Sequence, residues 1–288
     1  MKIVLTGASG FLGRATHQAL IQAGHQVVAL GHRQAEGAVR SLDLRDTAAW
    51  RSELLAANPD VVVHCAAYRD PDFCEQEQEE TSRLNIAPVR VLVDTLAPNA
   101  RILFVSTDYV FDGENPPYAE DAKRHPVNFY GQSKREGEDI ALERADSIIL
   151  RIPLLMGCGP SFSESGFIAK TIQAIEREER TEMDDKTMRF PTDIEDVAAA
   201  ICYLLQEQAT GIFHFAGPEG RTQFAWAQAL AALMGRHADH IQPVATLSAR
   251  RATRPSNSQL SIEKLRSIGF DRSTPFTEVA RRVLALSR

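Results

Sequence analysis

The chain has 288 residues, 44% of them hydrophobic and 24% charged, which suits a globular protein able to bury one extensive core or two joined ones. A net charge of −6 argues against nucleic acid or an anionic membrane as the main partner. Cys65, Cys74, Cys158 and Cys202 show neither paired spacing nor histidines at metal-ligand intervals. No metal, reduced thiols and a cytoplasmic setting are therefore expected. The first apolar run stops at Gly7, too short for a secretory signal, and no run approaches the ~20 residues that span a bilayer.

In chain order, residues 2–5, 26–30, 61–64, 101–105 and 147–151 are short runs rich in β-branched residues and predict buried strands. Helical patterns over 11–23, 47–57, 79–97 and 129–144 separate them, and Pro59 closes the second helix. This alternation is the signature of parallel βαβ units. Beyond residue 155 the pattern changes: Gly157, Gly159 and Pro160 mark a loop, and 163–180 predicts an amphipathic helix. A helix over 193–201 carries Asp193, Glu195 and Asp196 in its first turn, where negative charge suits the helix dipole, and a strand over 211–215 follows. The expected fold is α/β, a doubly wound parallel sheet (Rossmann) with a smaller, mainly helical C-terminal substrate domain. Its expected division is 1–155 with a return near 189–217 for the dinucleotide, and 156–188 with 218–288 for the substrate.

Between the first strand and first helix lies Thr6-Gly7-Ala8-Ser9-Gly10-Phe11-Leu12-Gly13. Glycines at this spacing permit a tight turn, close approach to a pyrophosphate and close helix–strand packing, while the helix N-terminus favours an anion. Gly7, Ser9, Gly10, Phe11, Leu12 and Gly13 are thus candidate cofactor contacts; the alternative is an ordinary βα turn. After the second strand stand His32 and Arg33, with no acid before Glu36 to hold a ribose 2′-hydroxyl. That favours NADP(H) over NAD(H), unless the pair is only a solvated basic loop. Asp43 and Leu44 are placed to meet the adenine.

Tyr130 and Lys134 lie four residues apart on one helical face, where an ammonium can lower a phenol pKa. Ser106 and Thr107, directly after the fourth strand, supply a hydroxyl for a substrate carbonyl. The pattern predicts a carbonyl/alcohol redox site.

These residues resemble the extended short-chain dehydrogenase/reductases: the glycine turn, Cys65-Ala66-Ala67-Tyr68, Asn85, Ser106 to Gly113, Tyr130 with Lys134, and Arg151-Ile152-Pro153. Within that group Ser106-Thr107-Asp108-Tyr109-Val110-Phe111-Asp112-Gly113 and Arg254-Pro255-Ser256-Asn257-Ser258-Gln259-Leu260 are similar to the dTDP-4-dehydrorhamnose reductases, which use NAD(P)H to reduce the 4-keto group of a deoxysugar nucleotide. The resemblance implies that Thr107 polarises the carbonyl and Tyr130 gives the proton. Lys134 would hold the nicotinamide ribose and lower the Tyr130 pKa, and Asn85 would order a relay water. It implies further cofactor contacts at Cys65, Ala66, Ala67, Tyr68, Ser106, Ile152 and Pro153. Substrate contacts would come from Thr107, Asp108, Tyr109, Met156, Arg189, Arg254 and Asn257, with Arg189 and Arg254 as a diphosphate clamp. Arg250 and Arg251 read better as solvated surface charges.

Residues 184–192 depart from the reductase pattern. Arg189-Phe190-Pro191-Thr192, Asn115 to Tyr118 and Arg151 to Gly157 resemble the regulatory beta subunits of methionine adenosyltransferase, which bind NADP and act on a partner enzyme. Partner-enzyme binding therefore stands beside a nucleotide-sugar or other small carbonyl substrate and a homodimer. A sugar-nucleotide epimerase or dehydratase ranks last, because Asp108 is a lone acid where dehydratases carry a pair.

Overall fold

The computed structural model describes residues 1–32, 37–245 and 251–287. The first half alternates strand and helix: β1 (Lys2–Thr6), α1 (Phe11–Gln22), β2 (Gln26–Gly31), β3 (Arg40–Ser41), α2 (Thr47–Ala57), β4 (Val61–His64), α3 (Pro71–Gln76), α4 (Gln78–Asn85), α5 (Ala87–Thr95), β5 (Arg101–Thr107), α6 (Phe129–Ala141) and β6 (Ile148–Ile152). Then follow β7 (Leu155–Met156), α7 (Gly166–Arg177), β8 (Thr181–Asp184), β9 (Thr192–Asp193), α8 (Ile194–Gln206), β10 (Gly211–His214), α9 (Gln223–Met234), β11 (Ile241–Val244), α10 (Glu263–Ser267) and α11 (Phe276–Ala285).

Seven strands form one sheet in the order β10-β6-β5-β4-β1-β2-β3, every pair parallel. The order reverses between β1 and β4, which opens a crevice beyond their carboxyl ends. Registers Thr6↔His64 and His64↔Phe104 bring the ends of β1 and β4 level beside β5, which runs on past Phe104 to Thr107 along that crevice. Both faces are covered. On one, Leu12 and Leu20 of α1 and Val197, Ile201 and Leu204 of α8 pack on Val61 and Val63. On the other, Trp50 of α2, Leu92 of α5 and Ile140 of α6 pack on Val62. Each such aliphatic side chain contributes about 1.5–3 kcal/mol by leaving water. A separate cluster joins Ile168 and Ile172 of α7, Trp226 and Leu230 of α9, and Val279 and Val283 of α11.

Several boundaries differ from the sequence expectation. The single helix over 79–97 is two helices, α4 and α5, broken at Ile86, where Pro88 sits in the first turn of α5 and offers no N–H. The helix over 163–180 is a 3-10 turn followed by α7, which ends at Glu178 in the left-handed region (φ 55°). The chain then enters β8, which pairs with β11, and β7 pairs with β9. Strand β5 runs two residues further than expected, so Ser106 and Thr107 belong to the sheet, opposite Arg151 and Ile152.

Candidate active site

A cleft of about 560 Å³ follows the crevice, the size of a small-molecule pocket. Gly7, Ser9, Gly10, Phe11, Leu12 and Gly13 line one wall. Gly7 has φ +68°, and a Cβ on Gly13 would stand 1.9 Å from the Gly7 carbonyl oxygen, so neither position accepts a larger residue without moving the turn. Gly10 caps α1 without a side-chain hydrogen bond, which leaves the first N–H groups of that helix free for an anion. Backbone and helix end therefore fit a dinucleotide pyrophosphate.

His32, Asp43 and Leu44 line the far end of the cleft, together with Arg45, which the sequence reading missed. Arg45 Nε and Nη2 donate to Asp43 at 2.9 and 2.6 Å, its Nη1 donates to the Tyr68 hydroxyl at 3.2 Å and to Glu80, and Nη2 lies 3.5 Å from His32 Nε2. Hydrogen bonds from Arg45 hold the Asp43 carboxyl at about 2 despite its partial burial. An arginine two residues after the acid was the available signal. Arg33 and Arg250 lie outside the described residues.

Cys65, Ala66, Ala67, Tyr68, Ser106, Thr107, Asp108, Tyr109, Tyr130, Lys134, Ile152 and Pro153 surround the middle of the cleft. Asn128 caps α6, its Oδ1 accepting from the Gly131 N–H at 2.9 Å, and Tyr130 follows in the first turn. A Cβ at Gly131 would meet the Tyr109 carbonyl oxygen at 2.1 Å. Glycine beside Tyr130 thus lets α6 approach the end of β5, and the Tyr109 and Tyr130 rings meet edge to face at 5.8 Å.

Burial pushes the Tyr130 phenol above its ordinary value, opposed by its hydrogen bond with Thr107 and reinforced by the Asp108 charge. Lys134 Nζ rests 3.9 Å from the centre of the Phe104 ring, and burial lowers its pKa to about 8, with Glu138 opposing. The Tyr130 pKa thus rises in this geometry where the pairing with Lys134 leads one to expect a fall, because burial is the largest influence on the phenol.

Ser106 Oγ donates to Glu138 Oε1, and the same buried carboxylate accepts from Arg151 Nε at 2.9 Å and Nη2 at 2.7 Å. Thr107, by contrast, hydrogen-bonds with the Tyr130 side chain. Asn85, expected beside a relay water, does not line the cleft. Its Oδ1 accepts from the Tyr68 N–H at 2.8 Å, and its Nδ2 donates to the Tyr68 carbonyl and to Ser133 Oγ, each at 3.0 Å. All of its polar atoms are engaged in holding the loop after β4.

At the substrate end Asp108, Tyr109, Arg189 and Arg254 line the cleft, joined by the unforeseen Arg69 and Leu154. Arg189 Nη1 donates to the carbonyls of Met188 and Pro255 at 2.7 and 3.1 Å, while its buried Nη2 has no partner among the described residues. Arg254 grips Asp72 with two bonds of 2.9 and 2.8 Å, and the Asp72 carboxylate also accepts from the N–H groups of Arg251 and Ala252. Those donors hold Asp72 far below the usual carboxylate range. Two expected contacts are absent from the lining: Met156 is fully buried in the α7–α9 cluster, and Asn257 bridges to Met188 and caps Gln259 N–H at 3.1 Å. Alternation puts Met156, the last residue of β7, on the inner face of that strand.

The chain matches the family model for the RmlD substrate binding domain over residues 1–288. It is 35% identical to methionine adenosyltransferase 2 subunit beta of Pongo abelii, over 96% of this chain and 84% of that protein. It is 32% identical to a probable dTDP-4,6-dihydroxy-2-methyloxan-3-one 4-ketoreductase of Streptomyces antibioticus, over 94% of this chain and 90% of that one. Among solved structures, a hypothetical dTDP-4-dehydrorhamnose reductase from Sulfolobus tokodaii superposes with a TM-score of 0.85 at 30% identity, covering 96% of this chain and 98% of its own. With its glycine turn, and Tyr130 and Lys134 of α6, gathered around the crevice of one parallel sheet, the chain belongs to the RmlD substrate binding domain family of extended short-chain dehydrogenase/reductases.

Proposed function

We propose that the protein is an NAD(P)H-dependent reductase of a keto group, with NADP(H) preferred, acting on the 4-keto group of a deoxysugar nucleotide. The observation that carries this reading is the convergence of Thr107, Tyr130 and Lys134 in one cleft with an uncapped, glycine-built helix N-terminus. Relatives named as a 4-ketoreductase and a dehydrorhamnose reductase support it. A bound reduced nicotinamide supplies the hydride. Tyr130, whose phenol stays neutral, supplies the proton to the substrate oxygen. Thr107 orients that oxygen, and Lys134 holds the cofactor ribose. Arg189, through its unpartnered Nη2, and Arg254 meet the diphosphate, since a buried donor without an acceptor is unfavourable until a ligand supplies one. The division into a dinucleotide part (1–155 and 189–217) and a substrate part, a homodimeric assembly and a cytoplasmic setting belong to the same proposal. No helix among the described residues is long and apolar enough to cross a membrane.

NADPH oxidation with dTDP-4-dehydrorhamnose and related 4-ketosugars tests the reading: turnover is expected in the wild type and lost in Tyr130→Phe, and equal rates in both would reject it. The Arg189-to-Thr192 segment and the 35% identity to a methionine adenosyltransferase beta subunit favour a second reading, an NADP-binding regulatory subunit. A stable complex with an adenosyltransferase catalytic subunit, without ketosugar turnover, would select it.

A further inference from the structure

The C-terminal segment that carries Arg254 also reaches the catalytic strand. Ser258 Oγ donates to Asp108 Oδ2, and Thr107 Oγ1 donates to Asp108 Oδ1 at 3.1 Å. All three residues are buried: Ser258 is 1% exposed, Asp108 3% and Thr107 5%. The Tyr109 N–H donates to Thr107 Oγ1 at 3.2 Å. A hydroxyl has one proton and two lone pairs. With the proton on Asp108 and one lone pair on Tyr109, Thr107 keeps a single lone pair on the side of Tyr130 and has no donor left for a substrate oxygen. A protonated Asp108 reverses this. Its own O–H then points at Thr107 Oγ1, Ser258 donates to the other carboxyl oxygen, and the Thr107 proton turns towards Tyr130 and the cleft.

We propose that Asp108 and Ser258 are positioning residues that set the direction of the Thr107 hydroxyl, so that Thr107 donates to the substrate carbonyl when Asp108 carries a proton and turns away when it is ionised. The inference rests on the reductase reading above and gives Asp108 a task other than substrate contact. Ionisable groups face Asp108 from three sides: Tyr130 on α6, Tyr109 on its own turn, and Arg189 from the chain between β8 and β9. Burial raises the Asp108 carboxyl above the usual carboxylate range, against the hydrogen bond from Ser258, the Arg189 charge and the hydrogen bond from Thr107.

Asp108→Asn tests this, because its amide can donate to Thr107 while its carbonyl accepts from Ser258, the pattern of the protonated acid. The expected result is a flattened alkaline limb of kcat, because the amide cannot ionise. Ser258→Ala, with Ser258→Cys as the volume-conserving alternative, is expected to lower kcat about tenfold with KM unchanged. In a Thr107→Ala background neither substitution should have a further effect. Full effects persisting without Thr107, or changes confined to KM, would overturn the proposal.

A second readout does not need turnover. The Tyr130 phenol can be titrated by ultraviolet absorbance against Tyr130→Phe. Asp108→Asn should lower its pKa through the lost charge and through the redirected Thr107 proton, and the drop should shrink to the charge effect alone when Thr107 is alanine. An equal drop in both backgrounds overturns the proposal. Absent turnover with a Thr107-dependent drop would instead reject the reductase reading and leave the positioning pair standing.

Discussion

The two ends of the cleft are built differently. The pyrophosphate end comes from one contiguous stretch, residues 6–13, and its binding groups are backbone N–H donors at the start of α1. The substrate end is assembled from Asp72, Asp108, Arg189 and Arg254, brought together from distant parts of the chain and held by side-chain ion pairs and hydrogen bonds. A backbone site tolerates no added volume and presents the same donors whatever the neighbouring side chains. A side-chain site can be retuned one charge at a time.

Substitutions at the two ends should therefore fail in different ways. The largest expected effect is at Tyr130: Tyr130→Phe should lower turnover by about 10²–10⁴-fold, with NADPH binding, followed by fluorescence titration, unchanged. Gly13→Ala should weaken NADPH about 10- to 100-fold in the same titration, because its methyl group would stand 1.9 Å from the Gly7 carbonyl oxygen and the turn must open. At the other end Arg254→Ala should leave NADPH binding intact and raise the substrate KM about tenfold, the loss of one charge-assisted contact. Asp72→Asn should act in the opposite direction by releasing Arg254 from its intramolecular partner. An NADPH affinity that fell with Arg254→Ala as far as with Gly13→Ala would abolish the distinction between the ends.

A smaller effect concerns pH and stability. Lys134 titrates near 8 in the fold, against 10.5 for a free lysine side chain. Between those values the unfolded chain binds more protons at this group than the folded one, so its contribution to stability becomes more favourable as pH rises through that window. Below about 8 the buried ammonium is a burden on the fold. Thermal melting of wild type and Lys134→Met should thus differ most at neutral pH, with the variant more stable, and converge towards pH 10.5. A constant difference across that range would place the lysine in a solvated environment.

The contrast between the ends also explains what was legible in the sequence. Strands such as 61–64 declare themselves because a parallel strand covered on both faces is a nearly continuous apolar run, here three valines before His64. The glycine turn and the Tyr130–Lys134 pair are short-range patterns, dictated by a turn and by one helical repeat. Arg45 was missed although it stands two residues from Asp43, because its partners Tyr68 and Glu80 come from other elements. Asp72 with Arg254, and Ser106 with Glu138 and Arg151, join positions that no periodicity relates. Asn85 was recognisable as a polar residue in a helix, yet whether it meets water or clamps Tyr68 depends on where the loop after β4 passes. Met156 was expected to face substrate, but strand alternation and the packing of α7 turn it into the core.

Whether the cleft moves a hydride to the carbonyl carbon of a sugar nucleotide is decided by incubating the protein with NADPH carrying deuterium at the reactive position of the nicotinamide and with dTDP-4-dehydrorhamnose, then locating the label by mass spectrometry. A reductase places one deuterium on the carbon that was the ketone, and none is expected in Tyr130→Phe over the same interval. Unlabelled sugar and unoxidised cofactor, with every other 4-ketosugar giving the same result, would contradict the reductase reading.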